Sequence, residues 1–271
     1  MWRSVMRLNL HAAVMILFAA TMMAQQANLG YDDTPMQPNG RWHVHDGKRP
    51  QPKIVKPGDG VNMSPVAAPQ DATVLVGPRA DLSAWQMMDG SPVTWQMSNG
   101  VLETGKGLIR TKAEFTDFQL HVEFATPKEV KGDSQGRGNS GVFLLGKFEI
   151  QVLDSYQNPT YPDGQASAMY GQFPPLVNAS RPPGEWQSYD IVFTAPRFTS
   201  GGTAEKPAVV TVLHNGVVVH NATAFWGPTA HKKIDPYGPD TAKGPLALQD
   251  HGNPVRYRNI WIRQLKEYDA Q

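Results

Sequence analysis

The chain of 271 residues contains no cysteine, which excludes disulfides and the lipid-bearing cysteine of a lipoprotein. It also has no excess of one charge, because Lys+Arg 25 nearly balance Asp+Glu 24. Nucleic acids and anionic membranes attract clustered basic residues, so neither is an expected partner. No long amphipathic helical pattern occurs. Glycine and proline are plentiful, at Gly 25 and Pro 23, and this composition favours many short strands and turns.

The N-terminus has the order of a secretory signal peptide. Arg3 and Arg7 precede an apolar run at residues 12–24, and polar residues follow Ala24. The run is shorter than the about 20 residues that a membrane span needs, although a retained membrane anchor is the alternative. We therefore expect cleavage after Ala24, a periplasmic or secreted protein, and no membrane contact after cleavage.

Residues 25–72, called the arm below, carry proline or glycine every few positions and no periodic apolar pattern. This composition predicts an extended segment without regular structure. Its "WHVHD" stretch places His43 and His45 on one side of an extended chain, as two metal ligands would be. No third ligand lies nearby, so we favour an arm that is packed by Trp42 over a metal site.

From residue 73 onward, short strand patterns alternate with turn signals. In "FQLHVEFAT" the apolar residues fall on every second position from Phe118, as in a strand with one buried face. Asp89-Gly90, Asn99-Gly100 and Asn215-Gly216 are dipeptides typical of tight hairpins. These patterns predict an all-β, antiparallel β-sandwich domain over residues 73–267.

The stretch "RGNSGVFLLGKFEIQVLDSY", residues 137–156, places polar groups inside a strand pattern. Alternation puts Glu149 and Gln151 on one face, opposite Phe148, Ile150 and Val152. Their face cannot also be the core, so it lines a groove. The alternative is the solvated face of an edge strand.

Asp154 has the wrong parity to join this polar face. A β-bulge near Val152-Leu153 would turn it there, and bulges often re-aim side chains beside active sites. The stretch "GPLALQDHG" shows a second polar face, on which Gln249 and His251 alternate with Leu248. Histidine has the side-chain pKa nearest neutrality, and the following Gly-Asn-Pro loop is of the kind that carries site residues.

The motifs NSG followed by E-x-Q-x-x-D, and G-P-x-x-L-Q-D-H followed by R-N-I, resemble the 3-keto-disaccharide hydrolase family. "LSAWQ", "MYGQFPP" and "PPGEWQSYDIVF" occur in the same order as in that family, and the likeness runs from Thr73 to Leu265. The resemblance implies a concanavalin A-like jelly roll. It also implies a carbohydrate-active enzyme that cleaves the glycosidic bond of 3-keto-glycosides by β-elimination and hydration, and the signal-peptide pattern makes this an exported enzyme.

For that chemistry we expect three catalytic residues, with Glu149 or His251 as the base and Asp154 as the acid or an orienting group. The expected substrate-binding residues are Arg137, Asn139, Gln151, Tyr170, Trp186 and Gln249. No cofactor follows from the sequence, although a divalent metal held by Glu149, Asp154 or His251 could serve at the enolate oxygen. A non-catalytic sugar-binding module of lectin-like fold is the rival hypothesis, because fold alone does not fix function.

Overall fold

The computed structural model describes residues 29–62 and 64–266. The predicted signal peptide, residues 1–24, and its cleavage site lie outside these residues. Within them, no helix is long and apolar enough to span a membrane.

Regular structure in the described residues consists of strands and short 3-10 helices. The strands are β1 Lys53–Ile54, β2 Thr73–Val76, β3 Trp85–Met87, β4 Gln96–Ser98, β5 Val101–Glu103, β6 Ile109–Phe115, β7 Phe118–Ala125, β8 Ser140–Leu144, β9 Phe148–Val152, β10 Val177–Asn178, β11 Gln187–Thr194, β12 Arg197–Phe198, β13 Ala204–Lys206, β14 Val209–His214, β15 Val217–Ala224, β16 Gly244–Leu248 and β17 Arg256–Gln264. The 3-10 helices are Gly60–Asn62, Leu82–Ala84, Ser134–Gly136, Pro162–Gly164 and Pro239–Thr241.

Two antiparallel sheets make up the body of the protein. The larger sheet has the order β15-β14-β11-β7-β17-β5-β4, with β2 also paired to β17. The smaller sheet has the order β3-β6-β16-β8-β9. One shared cluster of buried apolar side chains lies between them, with Leu120 and Val122 from the larger sheet and Ile150 and Val152 from the smaller. The predicted all-β, antiparallel β-sandwich is confirmed.

The core follows from strand alternation. Along β7, Phe118, Leu120 and Val122 are almost completely buried on the inner face. Burying each such side chain contributes about 1.5–3 kcal/mol. On β9 the inner face is likewise apolar, so alternation forces Glu149 and Gln151 to the outer face of the smaller sheet.

Two of the three predicted hairpin turns connect paired strands. Asn99-Gly100 joins β4 to β5, and Asn215-Gly216 joins β14 to β15, with positive φ at both residues of each pair. The prediction of a hairpin at Asp89-Gly90 is wrong. There φ is positive only at the glycine, the Asp89 carboxylate accepts a hydrogen bond from the backbone of Ser91, and the next strand, β4, joins the other sheet.

The arm lies against the sandwich through polar contacts. Its strand β1 pairs in parallel with β10. Farther upstream in the arm, His45 and Gln37 bind the buried carboxylate of Asp163. This carboxylate accepts hydrogen bonds from the backbone N–H and Nδ1 of His45, 3.0 Å each, and from Nε2 of Gln37. Val44 and His45 are fully buried, whereas Trp42 is only half-buried. The sequence predicted that Trp42 packs the arm against the domain. His45, which is more deeply buried, instead makes the main contacts.

A buried ionic network lies on the outer face of the larger sheet. His121 contacts Asp190 at 2.6 Å and Glu123 at 3.3 Å, and Glu123 also accepts a 2.6 Å hydrogen bond from Arg258. Burial alone would lower the pKa of His121, but the bonds to the two carboxylates outweigh it and raise that pKa to about 9. The arm covers part of this network, since the backbone N–H of Val66 donates to Glu123.

Candidate active site

A cleft of about 450 Å³ lies over the outer face of the smaller sheet. Its size falls within the range of small-molecule sites. Six of the side chains predicted from sequence line it: Asn139, Glu149, Gln151, Tyr170, Gln249 and His251. Glu149 and Gln151 lie on β9, Asn139 directly precedes β8, and Gln249 and His251 follow β16. These residues come together because β8 pairs with both β9 and β16.

Glu149 is the most unusual group in the cleft. It is only 5% exposed, and no hydrogen bond or ion pair to its carboxyl group is found within residues 29–62 and 64–266. Burial therefore raises its pKa to about 8, which leaves the carboxyl mostly protonated at neutral pH. The backbone N–H of Glu149 is fixed by a 2.8 Å hydrogen bond to the hydroxyl of Thr229.

Gly141 on β8 makes room for this carboxyl group. A Cβ atom at position 141 would lie 2.4 Å from Oε1 of Glu149. Any larger residue would push the carboxyl aside, so the glycine of the NSG motif is explained by close packing.

Amide groups provide the hydrogen-bonding surface beside Glu149. Gln151 donates to the side-chain oxygen of Gln135 at 3.0 Å, and Asn139 donates to the backbone oxygen of Gln135 at 2.7 Å. The side-chain oxygens of Asn139 and Gln151 are buried and have no partner among the described residues. Both residues line the cleft, so their side chains form part of its polar surface.

Gln249 and His251 follow β16 at the rim of the cleft. The backbone of Gln249 donates to Gly141 and accepts from the hydroxyl of Ser140, at 3.0 and 2.6 Å, so its position is fixed relative to β8. His251 is exposed. Its imidazole is thus open to solvent and to a bound molecule.

Tyr161, Tyr170 and His231 form an aromatic wall of the cleft. Hydrogen bonds of 3.0 Å link the Tyr161 hydroxyl to that of Tyr170, and the latter to Nδ1 of His231. Burial raises the pKa of both tyrosines, so they stay protonated as hydrogen-bond donors. Partial burial and nearby positive or imidazole groups lower the pKa of His231, which keeps its ring neutral near pH 7. His45 of the arm packs behind this wall, 4.2 Å from Tyr161 between ring centroids.

Two predicted site residues, Arg137 and Asp154, line a neighbouring cavity instead of the cleft. They form a 2.7 Å ion pair, and Arg137 also donates to the backbone oxygen of Tyr156. Burial raises the pKa of Asp154, and the contact with Arg137 opposes that shift. The predicted bulge near Val152 is not found in the pairing of β8 with β9, whose register is continuous up to Val152. No bulge in this pairing therefore turns the Asp154 side chain toward Glu149.

Trp186, expected as a stacking wall, lies elsewhere as well. Its ring packs against the guanidinium groups of Arg258, at 4.1 Å, and Arg256, at 5.4 Å. Arg258 belongs to the ionic network on the outer face of the larger sheet, so Trp186 is on the side of the sandwich away from the cleft. In the residues that the structure describes, no group of three or more His, Cys, Asp or Glu side chains is arranged to hold a metal ion.

Comparison with known proteins shows the family. Residues 71–263 match the family described as the 3-keto-alpha-glucoside-1,2-lyase-like domain. The chain belongs to this family. A 3-keto-disaccharide hydrolase of Bacteroides thetaiotaomicron is 25% identical over 223 residues, which are 68% of this chain and 71% of that protein. A crystal structure of a proposed glycosyl hydrolase from Parabacteroides distasonis ATCC 8503 is 45% identical, with a TM-score of 0.72, and the match covers 80% of this chain and 93% of that one.

The sequence reasoning missed several residues of the cleft in this member of the 3-keto-alpha-glucoside-1,2-lyase-like family. His231, Thr229 and Tyr31 all line it, as do Gln135 and Tyr161. None belongs to a strand, so strand alternation gave no signal for them. One usable signal was the Gly- and Pro-rich stretch directly after the E-x-Q strand, which carries Tyr161, because such loops beside a site strand often supply binding residues.

Proposed function

We propose that this protein is an exported enzyme that cleaves the glycosidic bond of 3-keto-glycosides. One observation carries the proposal: a buried, mostly protonated Glu149 shares a sugar-sized cleft with two imidazoles, those of His231 and His251. Membership of the family and the likeness to a 3-keto-disaccharide hydrolase support this substrate class. Export rests on the N-terminal sequence pattern.

The reaction we propose has two halves. A ketone at C3 acidifies the hydrogen on C2, so a base removes that proton and the electron pair passes to the C3 oxygen as an enolate. The enolate then expels the glycosidic oxygen from C1, so the C3 carbonyl re-forms and a C1=C2 double bond appears, and the departing oxygen takes a proton. Water next adds its hydroxyl to C1 and a proton to C2, which gives the free 3-keto sugar and completes a net hydrolysis.

The groups in the cleft fit these steps. An imidazole at the rim, His251 or His231, takes the C2 proton, since a neutral imidazole is an effective base near neutral pH. Glu149 in its protonated form donates to the enolate oxygen or to the departing glycosidic oxygen. Asn139 and Gln151, whose amide side chains line the cleft, orient the sugar hydroxyls. Arg137 and Asp154 receive no direct role, because they do not line the cleft.

The test is incubation with a 3-keto-disaccharide and, separately, with the unoxidised disaccharide. Only the keto compound should be cleaved. In deuterated water the released 3-keto sugar should carry deuterium at C2 beyond the exchange seen without enzyme, because elimination removes that hydrogen. Cleavage without deuterium at C2 would contradict the elimination, and sugar binding without turnover of either compound would support the rival binding-module hypothesis.

Variants separate the assigned roles. Glu149→Gln, His231→Ala and His251→Ala remove one group each, and loss of a general acid or base typically lowers the rate about 10²–10⁴-fold. Glu129→Gln is the matched control, because the Glu129 side chain is 80% exposed and lies outside the cleft. Full activity of the Glu149 and both histidine variants would overturn the assignments.

A further inference from the structure

A second cavity of about 350 Å³ adjoins the cleft at its aromatic wall. One side is formed by the arm, residues Leu29 to Tyr31, and the other by the loop from Gly132 to Gly136. Tyr31, Gln135 and Tyr161 line both hollows. The two spaces thus adjoin at these three side chains.

The arm side of this cavity is held firmly. The backbone N–H of Tyr31 donates to the carbonyl of His45 at 2.9 Å, and His45 is in turn bound through two atoms by the buried Asp163. Gly30 lies so close to this segment that a Cβ atom there would be 2.2 Å from the His45 oxygen. The ammonium group of Lys232 sits 3.5 Å from the centre of the Tyr31 ring. The arm is therefore a fixed wall and its Tyr31 has a defined position.

The loop side is equally constrained. Ser134 donates two hydrogen bonds of 2.8 Å, from its N–H to Asn158 and from its hydroxyl to Thr160, and its backbone oxygen accepts one from the Asn158 amide. Gln135 donates to Thr160 and to the backbone oxygen of Gly164. The exposed Asp133 carries the one carboxylate that lines this cavity.

The chemistry of these walls suits a sugar that does not react. Tyrosine rings pack against the apolar faces of a sugar, and the carboxylate and amide bind its hydroxyl groups, whereas the acid and the imidazoles lie in the first cleft. We infer that the second cavity binds the leaving-group sugar of a 3-keto-disaccharide, and that the arm builds this subsite. This inference rests on the proposed function and adds to it the place of the second sugar: the keto sugar lies beside Glu149, and the leaving sugar lies against Tyr31 of the arm.

The test changes the lining of the second cavity and no residue that lines the first. No heavy atom lies within 4 Å of the place that a Cβ would take at Gly136, so Gly136→Trp extends into open space. Gly58→Trp is the matched control, because Gly58 is exposed, has the same freedom from neighbours and lines neither cavity. Asp133→Ala removes the carboxylate without adding bulk. Each protein is assayed with a 3-keto-disaccharide and with methyl 3-keto-glucoside, whose one-carbon leaving group does not reach the second cavity.

We expect Gly136→Trp to raise KM for the disaccharide about tenfold, which corresponds to about 1.4 kcal/mol of binding. Asp133→Ala should raise it by a smaller factor, and neither variant should change kcat/KM for the methyl glycoside. Equal losses on both substrates, or no loss on either, would overturn the inference, as would a wild-type enzyme that turns over the methyl glycoside but not the disaccharide. A wild-type protein inactive on both compounds would refute the proposed function itself.

Discussion

Replacing Glu149 by glutamine should change how the stability of the fold depends on pH. The wild-type carboxyl has a pKa raised from 4.5 to about 8 by burial. Between these two values the folded protein holds a proton that the unfolded chain has released, so the free energy of unfolding falls as pH rises through this window. Glutamine has a similar shape and carries no proton to lose, so this dependence disappears in the variant.

The magnitude follows from the size of the shift. One pKa unit corresponds to about 1.36 kcal/mol, so the full shift is worth about 5 kcal/mol between acid and alkaline pH. Because the unfolded carboxyl is already partly ionised at about pH 5, the change between about pH 5 and about pH 8 is roughly 3–4 kcal/mol. Relative to wild type, Glu149→Gln should gain that amount of stability across the same interval.

Urea denaturation at several pH values, followed by tryptophan fluorescence, measures this difference directly. Other groups also titrate over this range, and subtracting the two proteins cancels their contributions. Glu129→Gln serves as the control, since its side chain is 80% exposed and its replacement should leave the pH profile unchanged. Parallel profiles for wild type and Glu149→Gln would show that the carboxyl is solvated or paired, and would remove the basis for assigning it as a proton donor.

Three further perturbations test other parts of the structure. Gly141→Ala should lower kcat/KM about 100-fold by displacing the Glu149 carboxyl, with little change in stability, and wild-type kinetics would disprove the close packing. His45→Ala should destabilise the fold by about 1–3 kcal/mol in urea, because the buried Asp163 loses its bond to the imidazole while it keeps those from Gln37 and the backbone of residue 45; an unchanged stability would mean that the arm is loosely held. Stability contributed by His121, whose pKa is about 9, should persist below about pH 6.5 and disappear as pH rises through about 9; His121→Gln should lack this loss when the two unfolding profiles are compared.

Strand alternation explains why much of the cleft could be predicted. Once Phe148, Ile150 and Val152 are assigned to the core, Glu149 and Gln151 must project from the other face, and the structure places both in the cleft. That argument uses only neighbouring residues and the period of a strand.

The assignment that went beyond alternation was wrong. Alternation alone kept Asp154 off this face, but β9 runs to Val152 without the predicted bulge, and the Asp154 carboxylate pairs with Arg137 in a separate cavity. Trp186 precedes β11, and only its tertiary contact with Arg258 shows that it lies on the far side of the sandwich. Alternation assigns a side chain to one of two faces, but it does not say what covers each face.

By itself the sequence determined the all-β class, most strand faces and the polar face that carries Glu149, because these depend on local propensity and on contacts between adjacent residues. Only the tertiary structure decided that Tyr31 and His45 of the arm meet Tyr161 and His231 at one wall, far apart as they are in the chain. It also decided the raised pKa of Glu149. A pKa depends on how completely distant segments exclude water from a group, and no local pattern of residues encodes that.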